Sequence, residues 1–114
     1  MLFEIRNYHF EPTHFEAYKK WAAADAVAYL KSKMDVVGFW VANDMEPEYK
    51  GRNKPDESEQ PANITWIIRW NDRQERDEAW VQLRADPEWK AILARVPGGW
   101  RSYLRTEARF ADEI

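Results

Sequence analysis

Alternating apolar and polar positions, together with short β-branched and aromatic runs, predict four β-strands. A period of two is typical of a strand because successive side chains point to opposite faces of a sheet. The predicted strands cover residues 2–10, 36–43, 62–70 and 100–110.

A second pattern, with apolar residues at helical spacing, fills the gaps between these strands. The Ala-rich stretch 14–33 predicts an amphipathic helix, with Thr13 as its N-cap and Glu16 as the capping-box partner. Residues 73–84 predict a second helix. Asp86 and Pro87 are typical of a cap and a first helical residue, so they predict a short helix that ends before Gly98-Gly99.

The resulting order, β-α-β-β-α-β with the second helix broken in two, predicts an α+β ferredoxin-like protomer with both helices on one face of the sheet. Its 114 residues suit a single domain, 1–114. Residues 44–61 are rich in proline and in charges of both signs, which predicts a long polar loop inserted between two strands.

Composition excludes several classes of function. A net charge of -3 disfavours nucleic acid as the partner, and no apolar run is long enough for a membrane span. The absence of cysteine removes thiolate chemistry and Cys-ligated metals and fits a cytoplasmic protein. With two histidines and no nucleotide-binding glycine motif, we expect no metal site and no cofactor.

Aromatic residues are abundant, with seven Trp, five Tyr and five Phe. So many rings in a small domain predict an aromatic-lined pocket, an interface or both.

Four stretches resemble the NIPSNAP family of the dimeric α/β-barrel superfamily. They are "FEIRNY", "VGFW", "IIRWNDRQERDEAW" and "RADPEWKAILARV". The resemblance implies a homodimer in which two sheets face each other and close a barrel, with the helices outside. It also implies that the sheet face without helices looks into the barrel.

The apolar parity of the strands, with Phe3, Ile5 and Phe39, is expected to face the helices. The opposite parity is then expected to line the barrel, where it would form the candidate site. That set comprises Glu4, Arg6, Tyr8, Trp40, Trp66, Trp70, Tyr103, Arg105 and Glu107.

Glu4, Arg6 and Tyr8 are the predicted catalytic residues. Glu4 would act as a general base if burial raised its pKa, Arg6 would clamp an anion, and Tyr8 would donate to developing negative charge. The other six residues would bind the substrate, the tryptophans as flat walls and Tyr103, Arg105 and Glu107 as polar contacts. The alternative for the charged residues is a buried ion-pair network that fixes sheet pairing and dimer register.

Three functions fit this pattern. The first is a cofactor-independent isomerase, cyclase or lyase acting on an aromatic or polyketide-like small molecule by acid–base chemistry. The second is a cofactor-free monooxygenase, which the superfamily includes. The third is a non-catalytic ligand-binding or scaffold dimer. Under all three hypotheses we expect neither a nucleic-acid nor a membrane partner.

Overall fold

One four-stranded antiparallel sheet organises the chain, in the strand order β2-β3-β1-β4. The computed structural model describes residues 1–114. The strands are β1 (Leu2–Phe10), β2 (Val36–Val41), β3 (Ile64–Trp70) and β4 (Tyr103–Asp112). This topology confirms the predicted βαββαβ order.

Helices connect the strands where the sequence predicts them. The first helical region runs through α1 (Phe15–Trp21), a π-helical turn (Ala22–Ala26) and α2 (Val27–Lys33) without a break. The second comprises α3 (Arg73–Ala85) and α4 (Pro87–Ala94). Short 3-10 turns lie at Pro12–His14, Glu57–Glu59 and Trp100–Ser102. No helix is both long enough and apolar enough to cross a membrane.

Side-chain caps fix the starts of α3 and α4. The carboxylate of Asp72 accepts from the backbone N–H of Glu75, and that of Asp86 accepts from Glu88 with Pro87 in the first turn. The predicted capping box at Thr13 and Glu16 is wrong, because Glu11 caps a 3-10 turn there and its side chain accepts from the N–H of Thr13.

The core lies between the helices and one face of the sheet. On β3 the even-numbered side chains are nearly inaccessible, at 0–3% exposure, and they are Ile64, Trp66, Ile68 and Trp70. Buried side chains of the first helical region, including Tyr18, Trp21 and Leu30, pack in the same cluster. The face of the sheet that carries Ile64 and Trp66 is therefore the helix face, and the other is the open face.

The sheet contains two β-bulges, one in β4 and one in β2. Each adds one unpaired residue, so the side chains on its two sides no longer follow the strand's regular alternation between faces. In β1–β4 pairing, His9 lies opposite Arg105 and Phe10 opposite Tyr103, so Leu104 is the extra residue. In β2–β3 pairing, Val36 lies opposite Ile68 and Gly38 opposite Ile67.

The connection between β2 and β3 is long and contains only the 3-10 turn at Glu57–Glu59. Its far end is tied to β1 through Asn63. The Asn63 side chain accepts from the N–H of Phe10 at 2.8 Å and donates to the Phe10 carbonyl at 2.9 Å. The loop therefore returns to the sheet at a fixed point beside the end of β1.

Candidate functional site

The charged row of β1 faces the helices, so the prediction that it lines the open face is wrong. Glu4 pairs with Ile68, Arg6 with Trp66 and Tyr8 with Ile64, and paired residues share a face. Glu4 has no accessible surface. The physical reason is that helix α3 brings its own charged and polar groups to this face and satisfies the row there.

Glu4 is the centre of a buried hydrogen-bond network. Its carboxylate accepts from Arg6 Nη1 at 2.6 Å and from Arg76 Nε and Nη2 at 3.0 and 3.2 Å. The indole N–H groups of Trp70 and Trp80 donate to it at 3.0 and 3.1 Å. Five donors therefore occupy both oxygens of this one carboxylate.

This network decides the ionisation of Glu4. Burial disfavours the charged form, but the hydrogen bonds from Arg76, Trp80 and Arg6 outweigh it and hold the pKa of Glu4 below its ordinary value. A general base would need a raised pKa, and Glu4 has the opposite shift. Glu4 is instead a fixed anion that orients Arg6 and Arg76, as in the ion-pair alternative.

Three groups of the protein contact the Arg6 guanidinium, and one of its nitrogens has no hydrogen-bond partner. Its Nε donates to the Tyr8 hydroxyl at 2.8 Å, Nη1 donates to Glu4, and the guanidinium lies 4.6 Å from the ring centroid of Trp80. Its Nη2 has no hydrogen-bond partner within the protein, and the side chain is 20% exposed. A fixed guanidinium with unused N–H donors is suited to binding an anion.

Three tyrosines, Tyr8, Tyr18 and Tyr103, pack next to one another and line the candidate site together with Arg6. Tyr8 and Tyr103 meet edge to face with centroids 5.6 Å apart, and Tyr103 and Tyr18 are 6.4 Å apart. Burial raises the pKa of Tyr18 and Tyr103, so both stay protonated hydroxyls near neutral pH. Because Tyr8 accepts from Arg6, its own hydroxyl proton is left to donate elsewhere.

These groups line a cavity of about 400 Å³ between the helix face and the helices. Its walls are mainly aromatic, and they include Arg6, Tyr8, Phe39, Trp66, Trp80 and Tyr103. This volume is within the range of small-molecule pockets. No Asp or Glu side chain lines it.

Only part of the sequence-predicted set meets at this cavity. Arg6, Tyr8, Trp66 and Tyr103 line it, whereas Trp70 binds Glu4 through its indole N–H. Trp40, Arg105 and Glu107 lie on the open face, as their parity predicted, and are therefore separated from this cavity. Trp40 pairs with Thr65 on the open face and is half exposed, and the bulge at Leu104 places Arg105 and Glu107 beside Asn7 and His9.

Sequence reasoning also missed residues that complete the site. Arg76 and Trp80 come from α3, Tyr18 from α1, and Phe39 from β2. A signal for this face was available in β3, where Ile64, Trp66, Ile68 and Trp70 form a more apolar parity than Thr65, Ile67 and Arg69. Placing that parity against the helices assigns Glu4, Arg6 and Tyr8 to the same side through antiparallel pairing.

The cavity has no metal-binding constellation beside it. Nowhere in the 114 residues do three or more His, Cys, Asp or Glu side chains lie close enough together to hold a metal ion.

Known structures share this fold over nearly the whole chain. A NIPSNAP family protein of unknown function from Agrobacterium tumefaciens matches with a TM-score of 0.74 at 22% identity, over 97% of this chain and 86% of that one. A NIPSNAP domain protein from Burkholderia xenovorans matches with a TM-score of 0.74 at 18% identity, over 100% and 95%. An antibiotic biosynthesis monooxygenase matches with a TM-score of 0.57 at 13% identity, over 100% and 99%.

No protein-family model matches the sequence, and no curated protein matches it. The strand order and the helices packed on one face define an α+β protein of the ferredoxin-like class. The chain has the fold of the NIPSNAP proteins, which confirms the resemblance predicted from its sequence at the level of the fold.

Proposed function

We propose that the cavity binds a small aromatic molecule through an anionic oxygen and acts on it by cofactor-independent acid–base chemistry. The observation that carries this proposal is the free side of Arg6. Its Nη2 has no protein partner, and the residue lines an aromatic cavity of about 400 Å³. The network around Glu4 holds the guanidinium in place before a ligand arrives, which reduces the ordering that binding requires.

The chemistry supported by these residues is the stabilisation of negative charge on a substrate oxygen. Arg6 supplies a fixed positive charge, and the Tyr8 hydroxyl, which accepts from Arg6 Nε, is a proton donor beside it. Isomerisation, cyclisation or elimination through an enolate or phenolate would use this pair, with the proton that the substrate loses passing to water, since no carboxylate lines the cavity. Glu4 orients Arg6 and takes no proton, because its oxygens are already occupied.

A cofactor-free monooxygenase is the second candidate. It is favoured by the fold match to an antibiotic biosynthesis monooxygenase, which covers all of this chain. An electron-rich enolate or phenolate held by Arg6 is also the form of an aromatic substrate that dioxygen attacks. Consumption of dioxygen during turnover separates this candidate from the first, which leaves dioxygen unchanged.

Substitution of Arg6 tests the proposed site. Benzoate binding, measured by isothermal titration calorimetry, is expected to weaken roughly 10- to 100-fold in Arg6→Met, because a charged hydrogen bond contributes about 1.5–3 kcal/mol. Tyr8→Phe is expected to weaken binding by less than that, since it removes a neutral donor.

The matched control is Arg69→Met. Arg69 is a half-exposed arginine that pairs with Asp35 at 2.8 Å on the open face, away from the cavity. It is expected to leave benzoate affinity unchanged. Equal affinities of Arg6→Met and the parent protein would remove Arg6 from the site, and a bound benzoate without turnover of any aromatic substrate would favour the ligand-binding alternative.

We further propose that the open face pairs with a second copy of the chain. Trp40 is 50% exposed on this face, and Phe3, Ile5 and Ile67 lie on it with no helix above them. Trp66 and Trp70, which the sequence placed in the same patch, are covered by the helices, so the support comes from this smaller apolar set. Burying it against a copy of itself removes apolar surface from water.

Sedimentation equilibrium at micromolar concentration tests the pairing. The parent protein is expected to be a dimer, and Trp40→Arg is expected to be a folded monomer because a charge would be buried in the interface. A parent protein that sediments as a monomer would contradict the pairing while leaving the cavity untouched.

A further inference from the structure

Arg84 is the third arginine that lines the cavity, after Arg6 and Arg76, and it differs from both in having no anionic partner. Arg6 donates to Glu4, and Arg76 donates to Glu4 and to Asp77. The Arg84 side chain is exposed, and it makes neither a hydrogen bond nor an ion pair with another residue. Its guanidinium is therefore available to an anion that enters the cavity.

The sequence of α3 places Arg84 at the opposite end of the helix face from Arg76. Arg76, Trp80 and Arg84 follow one another at intervals of four residues, so they share one face of the helix, and all three line the cavity. Eight residues at about 1.5 Å each separate the two arginines by about 12 Å along the helix axis. Because helical side chains lean toward the N-terminus of their helix, the Arg84 side chain leans back toward Trp80.

Arg6 belongs to the same end of the cavity as Arg76. Both guanidinium groups bind the carboxylate of Glu4, Arg6 at 2.6 Å and Arg76 at 3.0 Å. The Arg6 guanidinium also lies 4.6 Å from the ring centroid of Trp80. The unused nitrogen of Arg6 and the free guanidinium of Arg84 are therefore separated along α3, with Trp80 between them.

The cavity wall beside these two charges is aromatic. Trp66 and Trp80 lie there with ring centroids 6.1 Å apart, and Trp89 and Leu93 extend the wall from α4. No Asp or Glu side chain lines the cavity. A flat apolar body with an anionic group at each end matches this wall, because its ring can contact the indoles while its charges reach the two arginines.

We propose that the molecule bound in the cavity is an aromatic dianion, with one carboxylate on Arg6 and a second carboxylate on Arg84. The inference rests on the proposed function, since it requires the first carboxylate to bind Arg6. Arg84 is then a specificity-determining residue that selects doubly charged ligands over singly charged ligands of the same shape. Because Arg84 is exposed, the second carboxylate lies at the mouth of the cavity, where salt weakens its attraction to the arginine.

Two probes that differ by one charge test this assignment. Terephthalate carries a carboxylate at each end of a benzene ring, and monomethyl terephthalate replaces one of them by a neutral ester. A favourable exposed ion pair strengthens binding roughly 3- to 5-fold, and the choice of two equivalent ends adds a factor of about 2 for terephthalate. By isothermal titration calorimetry the parent protein is therefore expected to bind terephthalate roughly 6- to 10-fold more tightly than the monoester, and less so at high salt.

The variant Arg84→Met is expected to reduce this preference to the factor of about 2 that the two equivalent ends provide, with the affinity for the monoester unchanged. Its fold is not at risk, since the side chain has no partner in the protein. The matched control is Arg73→Met. Arg73 is an exposed arginine of the same helix that pairs with Asp77 at 3.4 Å and does not line this cavity, so its loss is expected to keep the full preference.

The failures of the two proposals are distinguishable. If both probes depend on Arg6, but the parent protein shows no preference beyond about 2-fold or Arg84→Met keeps the full preference, this inference is overturned and the proposed site stands. An equal loss in Arg84→Met and Arg73→Met also overturns it, because the effect would then come from the overall charge of the protein. If neither probe binds, or if Arg6→Met leaves binding unchanged, the proposed function fails and this inference falls with it.

Discussion

Replacing Glu4 by alanine is expected to lower the free energy of unfolding by about 3–5 kcal/mol, the range observed when one partner of a buried ion pair is removed. The substitution leaves the guanidinium groups of Arg6 and Arg76 without their carboxylate. It also leaves the indole N–H groups of Trp70 and Trp80 without an acceptor. Urea unfolding followed by tryptophan fluorescence measures the effect.

The matched control for this prediction is Glu16→Ala. Glu16 is exposed and accepts from Lys19 at 2.8 Å, so its loss is expected to change stability by less than about 1 kcal/mol. A loss of similar size for both variants would show that the buried network is no stronger than a surface pair.

Acid provides a second measurement of the same carboxylate. The folded pKa of Glu4 is lowered, so its contribution to stability is fully present above its unfolded pKa of about 4.3 and is lost as pH falls through the lower folded value. The parent protein is therefore expected to lose stability on acidification over that window more steeply than Glu4→Gln. Identical slopes for the two proteins would contradict a lowered pKa.

Removing both arginines that bind Glu4 is expected to destabilise the fold by more than the sum of the single substitutions. In Arg6→Met the carboxylate keeps Arg76, and in Arg76→Met it keeps Arg6, so each single change leaves one charged partner. The double variant leaves a buried anion with only two indole donors, and we expect a loss of about 3–5 kcal/mol for it.

A double-mutant cycle in urea measures the coupling between the two arginines. The double variant is expected to lose about 1–2 kcal/mol of stability more than the sum of the single variants, because removing the second arginine leaves the Glu4 carboxylate without a positively charged partner. Strict additivity would mean that Arg6 and Arg76 act on independent parts of the fold. Benzoate titrations of the same variants separate stability from binding, since Arg76 is engaged with Glu4 and Arg6 presents its free nitrogen to the cavity.

The fold could be predicted from sequence because its signals are local. The Asp72 and Asp86 caps each act within three residues, and the alternation of β1 and β3 is visible without knowing their partners. The capping box at Thr13 failed for an equally local reason, since Glu11 competes for the same backbone N–H.

The face of the sheet could not be assigned from β1 alone. A strand with Phe3 and Ile5 on one side and Glu4 and Arg6 on the other normally buries the first pair. Here Glu4 is buried because Arg76 and Trp80, more than 70 residues away along the chain, bring donors to it. Such compensation between distant residues is not visible in the spacing of either segment.

The bulge at Leu104 separates two side chains that a regular strand would keep together. Tyr103 lies opposite Phe10 on the helix face, while Arg105, two positions later, lies opposite His9 on the open face. A chain without Leu104 but with the same pairing would place the tyrosine and the arginine at adjacent positions, still on opposite faces. A related sequence that lacks one residue in β4 can therefore keep the same cavity. If such a sequence is aligned with this one without a gap, a residue that lines the cavity in one protein is matched to a residue on the open face of the other.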